Sequence, residues 1–229
     1  MTKIKISGVI IPNDYQDVYD WIGWDATSPK KVERALADIE DDKVTVEINS
    51  GGGSVFAGSE IYTLLKSSEK HITVNIVGVA ASAASIVAMA GDAVRMSPTA
   101  QMMIHNATIV AEGDYRDMES ATRLLKNANQ TAVNAYRMKS GMSEEELFDL
   151  MDKETWFTPQ QALEIKLIDE IMFEEELLIS ANIDSGLLPM EVVNKIKTKL
   201  INKEKPTNEQ SDFLLAKLNL LKLKGDVKI

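Results

Sequence analysis

The sequence contains no cysteine. That excludes disulfides, thiolate metal sites and a cysteine nucleophile, so covalent chemistry would have to use an oxygen or an amine. Only two histidines occur, His71 and His105. A three-histidine zinc site is therefore impossible, no metal or cofactor is expected, and an imidazole base has two candidates. Long apolar runs are also missing. The longest, from Ile76 to Ala90, is punctuated by Gly78, Ser82 and Ser85 and stops at Gly91-Asp92, too short and broken to span a membrane. The first residues alternate like a strand into Pro12-Asn13 and do not read as a secretory signal, so a cytoplasmic location is expected. Positive charge is in deficit: 25 Lys and Arg face 35 Asp and Glu, a net of −10. Generic nucleic-acid binding needs the opposite balance.

What is present is a chain of 229 residues, 45% apolar and 26% charged, room for one good-sized soluble domain with a tail. Its charge is uneven. Residues 1–176 carry 16 Lys and Arg against 29 acids, net −13, whereas 177–229 carry nine Lys, no Arg and six acids, net +3. The shift follows Glu174-Glu175-Glu176. This reads as an acidic body, 1–176, and a basic extension, 177–229, with helices at 189–201 and 211–224 and a polar linker at 202–210. The second of these helices is either a frayed terminal helix or a packing segment for the body or another subunit.

Strands and helices alternate through the body. Strands are predicted at 3–11, 44–49, 72–77, 93–96 and 101–105, the last two forming a hairpin around Ser97-Pro98. Helices are predicted at 28–39 with Ser28 as N-cap, at 55–67, at 82–90 and at 114–139. Ser143 with Glu146 forms a capping box opening another helix, and Thr158-Pro159 opens the last. Such a succession predicts a largely parallel, buried sheet with right-handed crossovers, an α/β fold.

Three features could carry chemistry. Ser82 stands between a β-branched strand and a helix of small residues, where free backbone N–H groups favour negative charge and the Ala83 N–H could hold an oxyanion. The plainer alternative is a helix-capping serine. Ser85, one turn on, reads as a packing residue. His105 ends the run Met102-Met103-Ile104 and is either a general base or a packing histidine, while His71 follows a polar loop and reads as surface. The turn Asn49-Ser50-Gly51-Gly52-Gly53 lacks both the Walker Lys-Ser/Thr and a dinucleotide register, so an oxyanion donor or a substrate-backbone contact fits it better than a phosphate. An acid to orient His105 would lie in Met151–Thr158, which holds both Asp152 and Glu154.

Four stretches in order then become specific: Asn49-Ser50-Gly51-Gly52-Gly53, Gly78-Val79-Ala80-Ala81-Ser82, Met103-Ile104-His105, and Thr155-Trp156-Phe157-Thr158 running on to Leu167-Ile168-Asp169. Over residues 1–172 the chain resembles the Clp protease proteolytic subunit, a serine peptidase family. The wording of Ala80–Ser85 and Met102–Asn106 is similar to its phage and prophage branch, the head maturation proteases. The resemblance implies a Clp protease/crotonase-like fold of repeated ββα units, with 114–139 as a handle helix pairing subunits across rings and 106–113 as the strand along which substrate lies. It implies Ser82 as nucleophile, His105 as base, Gly53 and Ala83 as oxyanion donors, and Glu154 as the triad acid when 156–169 is aligned without a gap, with Asp152 next. It implies a ring-forming homo-oligomer acting on protein, in the phage setting on scaffold or capsid precursors.

Some residues depart from that pattern. Gly51 replaces the usual proline, the acid is Glu, and the extension is not part of the family core. The chain starts close to its first strand, which weighs against docking to an AAA+ unfoldase. The competing readings are a housekeeping subunit feeding on such an unfoldase, a ring-forming scaffold with a vestigial site, and an acyl-CoA enzyme of the wider crotonase fold, for which no CoA-binding signal is visible.

Overall fold

A computed structural model describes residues 3–173; the extension 177–229, with its predicted helices and linker, lies outside the described residues. Three β-branched runs build the centre of the sheet. They are β1 (Lys3–Ile10), β3 (Lys43–Gly53) and β4 (His71–Ala81). Their inward positions repeat with the period of two that a strand requires. Ile4 and Ile6, then Val44, Val46 and Ile48, then Ile72, Val74 and Ile76 are all buried. Both β1 and β4 pair in parallel with β3.

The remaining strands are β2 (Ala26–Thr27), β5 (Ala93–Met96), β6 (Gln101–Ile104), β7 (Thr155–Phe157) and β8 (Glu170–Ile171). The sheet runs β2-β1-β3-β4-β5-β8, and β6 pairs with β4 and β7. Among the described residues only the β6–β7 pairing is antiparallel.

Helices follow the strands as parallel crossovers demand. After α1 (Gln16–Ile22) come α2 (Pro29–Ala37), α3 (Val55–Lys66), α4 (Ala83–Ala88), α5 (Tyr115–Ser140), α6 (Glu144–Asp152) and α7 (Pro159–Glu164). Their starts are chemically marked. Ser28 caps α2 with Pro29 in the first turn, and capping boxes open α5 (Asp114 with Asp117), α6 (Ser143 with Glu146) and α7 (Thr158 with Gln161). Helix α5 is about 39 Å long at 1.5 Å per residue. Its buried residues, Ala132, Val133, Ala135, Tyr136 and Ser140, all lie towards its C-terminal end.

Three expectations change. The 93–105 segment is not a hairpin: β5 pairs with Thr73–Ile76 of β4 and β6 with Val79–Ala81 of the same strand, both parallel. One long β4 offers room for two short strands end to end, and the Ser97–Ala100 turn merely steps between them. The Asn49–Gly53 run is not a turn either, since Gly52 and Gly53 pair with Val9 and Ile10 and so extend β3. The 82–90 helix begins one residue later, with Ser82 outside it. Helix α1 has no sequence signal of the amphipathic kind because none of its residues is buried.

Truncating the fully buried Ile76 to alanine should cost about 2–5 kcal/mol, read as a lower urea midpoint. Ser143→Ala removes a cap and should cost about 1 kcal/mol. An unchanged midpoint for Ile76→Ala would contradict this account of the core.

Candidate active site

The site forms where β3, β4 and β6 end side by side, at the carboxyl edge of a parallel sheet. Irregular register lets these ends approach. The β1–β3 pairing shifts between Ser7 and Val9, and the β3–β4 pairing between Ile48 and Ser50. Two side chains of the Asn49-Ser50 pair fill the gaps this leaves. Asn49 Oδ1 accepts from the Val79 N–H at 3.2 Å. Buried Ser50 donates to the Gly8 carbonyl at 2.6 Å and accepts from the Gly52 N–H at 3.1 Å.

The glycines that follow are then dictated by space and by φ. At Gly52, φ is +96° and a Cβ would lie 2.6 Å from the Ala81 carbonyl oxygen and 2.7 Å from Ser82 Cβ. At Gly53, φ is +145° and a Cβ would lie 2.2 Å from the Ile10 carbonyl oxygen. A side chain at Gly52 would therefore displace Ser82 itself.

Ser82 leaves β4 at φ 56°, ψ −126°. This is a left-handed setting for a non-glycine residue, costing about 1–3 kcal/mol. Its N–H still donates to the Met103 carbonyl at 3.0 Å, which ties the departing residue to β6. Its carbonyl accepts from the N–H groups of Ser85 at 3.0 Å and Ile86 at 3.3 Å. The side chain does not cap α4. Instead its Oγ lies 2.8 Å from His105 Nε2, so the helix-capping alternative is replaced by a serine–imidazole contact. The Ala83 N–H beside it is the first of the donors that a helix leaves without an intrahelical partner.

His105 follows the last residue of β6, where the sheet no longer holds the chain. Two side chains take over. Asn106 Nδ2 donates to Asp152 Oδ1 at 2.7 Å, and the Ala107 N–H donates to Asn129 Oδ1 on α5 at 2.8 Å.

The two candidate acids have different partners. Asp152 is engaged by Asn106. Glu154 has φ 48° and accepts from Trp156 Nε1 at a long 3.5 Å. The antiparallel register pairs Met103 with Trp156 and Ile104 with Thr155 and ends there; His105 and Glu154 are the residues that adjoin this last pair on the two segments. Among the described residues no hydrogen bond joins either carboxylate to His105. His71 is exposed and lies 3.5 Å from Asp92, away from this site.

Beside Ser82 and His105 runs a small cleft lined by Val55, Ile86, Ala128, Asn129, Ala132 and Tyr136. It is mostly apolar and contains groups from α3, α4 and α5. Asn129 and Tyr136 were not readable as site residues: they sit 24 and 31 residues beyond His105 on a helix whose sequence gives no hint of which face meets the cleft. Among the described residues no group of three or more His, Asp or Glu is placed to hold a metal ion. The arrangement can activate a serine hydroxyl through an imidazole and offer backbone N–H groups to a developing oxyanion.

Comparison with known proteins points the same way. A sequence model of the family described as Clp protease matches residues 33–175. The ATP-dependent Clp protease proteolytic subunit of Deinococcus radiodurans is 29% identical over 134 residues, covering 58% of this chain and 66% of that protein. The protein of the same name from Bacteroides fragilis is 31% identical over 134 residues, covering 58% of this chain and 65% of its own length. The chain thus spans just under two thirds of these relatives. A solved structure of a ClpP1 mutant from Listeria monocytogenes superposes with a TM-score of 0.61 at 21% identity, over 75% of this chain and 91% of that one. At that identity the likeness establishes the α/β fold.

Neighbouring glycines should respond differently to a methyl group. Gly51 has nothing within 4 Å of a Cβ, so Gly51→Ala should change stability by no more than about 0.5 kcal/mol and leave Ser82 reactive. Gly52→Ala should slow fluorophosphonate labelling of Ser82 by about a hundredfold through misplacement of the hydroxyl. Equal labelling of the two variants would remove Gly52 from the site.

Proposed function

The chain belongs to the Clp protease family, and from that membership we propose that it is a serine endopeptidase acting on protein substrates. The observation that carries the proposal is the 2.8 Å contact between Ser82 Oγ and His105 Nε2 at the carboxyl edge of the sheet. Ser82 Oγ attacks the scissile carbonyl while His105 Nε2 takes its proton. The N–H groups of Gly53 and Ala83 hold the oxyanion. His105 then protonates the leaving amine, and water, deprotonated by the same imidazole, releases the acyl group from Ser82. Glu154 is assigned as the acid that orients His105, a reading supported by both residues adjoining the last β6–β7 pair, Ile104 with Thr155. Asp152 is assigned to holding Asn106, which its 2.7 Å contact supports.

The finer proposal is a phage or prophage head maturation protease, cleaving scaffold or capsid precursors in the bacterial cytoplasm as a ring-forming homo-oligomer. It is supported by the wording of Ala80–Ser85 and Met102–Asn106 and by a basic extension lying beyond the matched residues 33–175. Oligomerisation is supported by apolar side chains left exposed on α5 and the segment before it, among them Ile109, Val110, Met118 and Leu124. Among the described residues no helix is long and apolar enough to cross a membrane. A second reading, a proteolytic subunit working with an AAA+ unfoldase, is favoured by the names of the relatives, which are ATP-dependent.

A fluorophosphonate probe should label the wild-type protein and fail on Ser82→Ala, with His105→Ala slowed by about 10²–10⁴-fold. Undiminished labelling of Ser82→Ala would refute the nucleophile. Glu154→Gln should reduce peptide turnover more than Asp152→Asn, and the reverse order would exchange their roles. Protein degradation accelerated by added Clp ATPase and ATP would favour the second reading over the first.

A further inference from the structure

Tyr136 is 1% exposed and Ser85 0%, and their hydroxyl oxygens lie 2.8 Å apart. The Ser85 hydroxyl donates to the Ser82 carbonyl oxygen at 2.6 Å. A serine hydroxyl has one proton to give. Because that proton is committed to Ser82, Tyr136 must be the donor in its contact with Ser85. Burial pushes the Tyr136 phenol well above its ordinary range, so it retains that proton at any working pH. The order is fixed: Tyr136 O–H to Ser85 Oγ, then Ser85 O–H to the Ser82 carbonyl. With the N–H groups of Ser85 and Ile86, three donors converge on one carbonyl oxygen.

That carbonyl is one half of the peptide unit whose other half is the Ala83 N–H. The unit is planar, so holding its C=O in one direction holds its N–H in the opposite one. A hydrogen bond to the oxygen also polarises the unit and strengthens the N–H as a donor. The restraint falls where it is needed, because the strained Ser82 backbone would otherwise gain from rotating this plane.

We propose that Ser85 and Tyr136 are positioning residues for the oxyanion donor Ala83 N–H, forming a buried hydroxyl chain from the long helix α5 to the back of the nucleophile's own peptide. The inference rests on the serine-peptidase reading above. Its rival is a purely structural role, in which Ser85 does no more than satisfy a buried tyrosine.

Three variants separate the two: Ser85→Ala, Tyr136→Phe, and both together. Each is followed by melting temperature and by the second-order rate of labelling with a fluorophosphonate over a pH series. In labelling, the Ser82 Oγ–P bond forms, fluoride leaves, His105 takes the serine proton, and the phosphoryl oxygen occupies the oxyanion position. Ser85→Ala strands the Tyr136 hydroxyl in the core and should lower the melting temperature, whereas the double variant removes both polar groups and should recover most of it.

The labelling rate should not recover. It should stay down by about tenfold in both, less than the 10²–10³ expected for loss of a direct oxyanion donor, with the pH profile unmoved. The volume-conserving Tyr136→Phe should slow labelling by roughly threefold. Wild-type rates in the double variant, or in Tyr136→Phe should the double not fold, overturn this inference and leave the peptidase reading standing. A wild-type protein that is not labelled at Ser82 overturns both.

Discussion

The geometry of the site depends on a single edge of β4 being paired twice. This strand is 11 residues long, and β5 and β6 each occupy part of it. The chain climbs alongside β4 as β5, steps out through the Ser97–Ala100 turn, and resumes in the same direction as β6. The last rung, Ser82 N–H to the Met103 carbonyl, holds the residue leaving β4 beside the residues leading to His105. A sequence separation of 23 thereby becomes a contact of 2.8 Å. A single backbone hydrogen bond of this ladder is worth only about 0.5–1.5 kcal/mol net. The register is secured instead by burial, since a slip of one residue would turn Val74, Ile76 and Ala80 out of the core.

The same crowding explains why the neighbourhood of Ser82 is made of small residues. Ala80, Ala81, Ala83 and Ala84 are all buried, and Gly52 passes so close that only hydrogen fits between it and Ser82. Larger side chains would relax Ser82 towards ordinary helical or extended φ and ψ by pushing these backbones apart. Tight packing, the bond to Met103 and the donors on the Ser82 carbonyl together over-determine a conformation that the residue would not adopt alone. The strain is local and the forces that offset it come from three separate elements, β3, β6 and α4, with α5 behind α4 through the Tyr136–Ser85 contact.

How much of this was legible follows from the range of each interaction. Period-two burial in β1, β3 and β4, and the caps at Ser28, Ser143 and Thr158, are local signals, and each predicted its element. Ser82 and His105 stood out as candidates because each sits at the end of an element and within a recognisable stretch. The hairpin misread at 93–105 is different. Turn chemistry at Ser97-Pro98 is local, but whether two short strands pair with each other or with a third is decided by the length of β4. The glycine run was read as a turn because the nearest partners of Gly52 and Gly53 lie on β1 and at Ser82, far away in sequence. Asn129 and Tyr136 are ordinary helix residues until α5 is packed against α4.

The acid was illegible for another reason, and the structure shows why spacing could not choose it. Carboxylates are abundant in this chain, and both Asp152 and Glu154 fall where α6 gives way to β7. Asp152 already has a donor in Asn106, and breaking that contact would release the backbone that carries His105. Glu154, like His105, adjoins the last β6–β7 pair, and Glu154 is exposed to water. An exposed carboxylate gains little from an imidazole that water also solvates, because screening leaves such a pair worth about 0–1 kcal/mol. A substrate chain laid across the cleft would displace that water and raise the value of the same pair. On the proposed assignment, Glu154 therefore has little reason to leave Trp156 in the uncovered site and a sufficient one once the site is covered. Catalytic hydrogen bonds commonly tighten only in the complex, and here exposure separates the two sets of groups: Glu154 is exposed, whereas Ser85 and Tyr136 are buried.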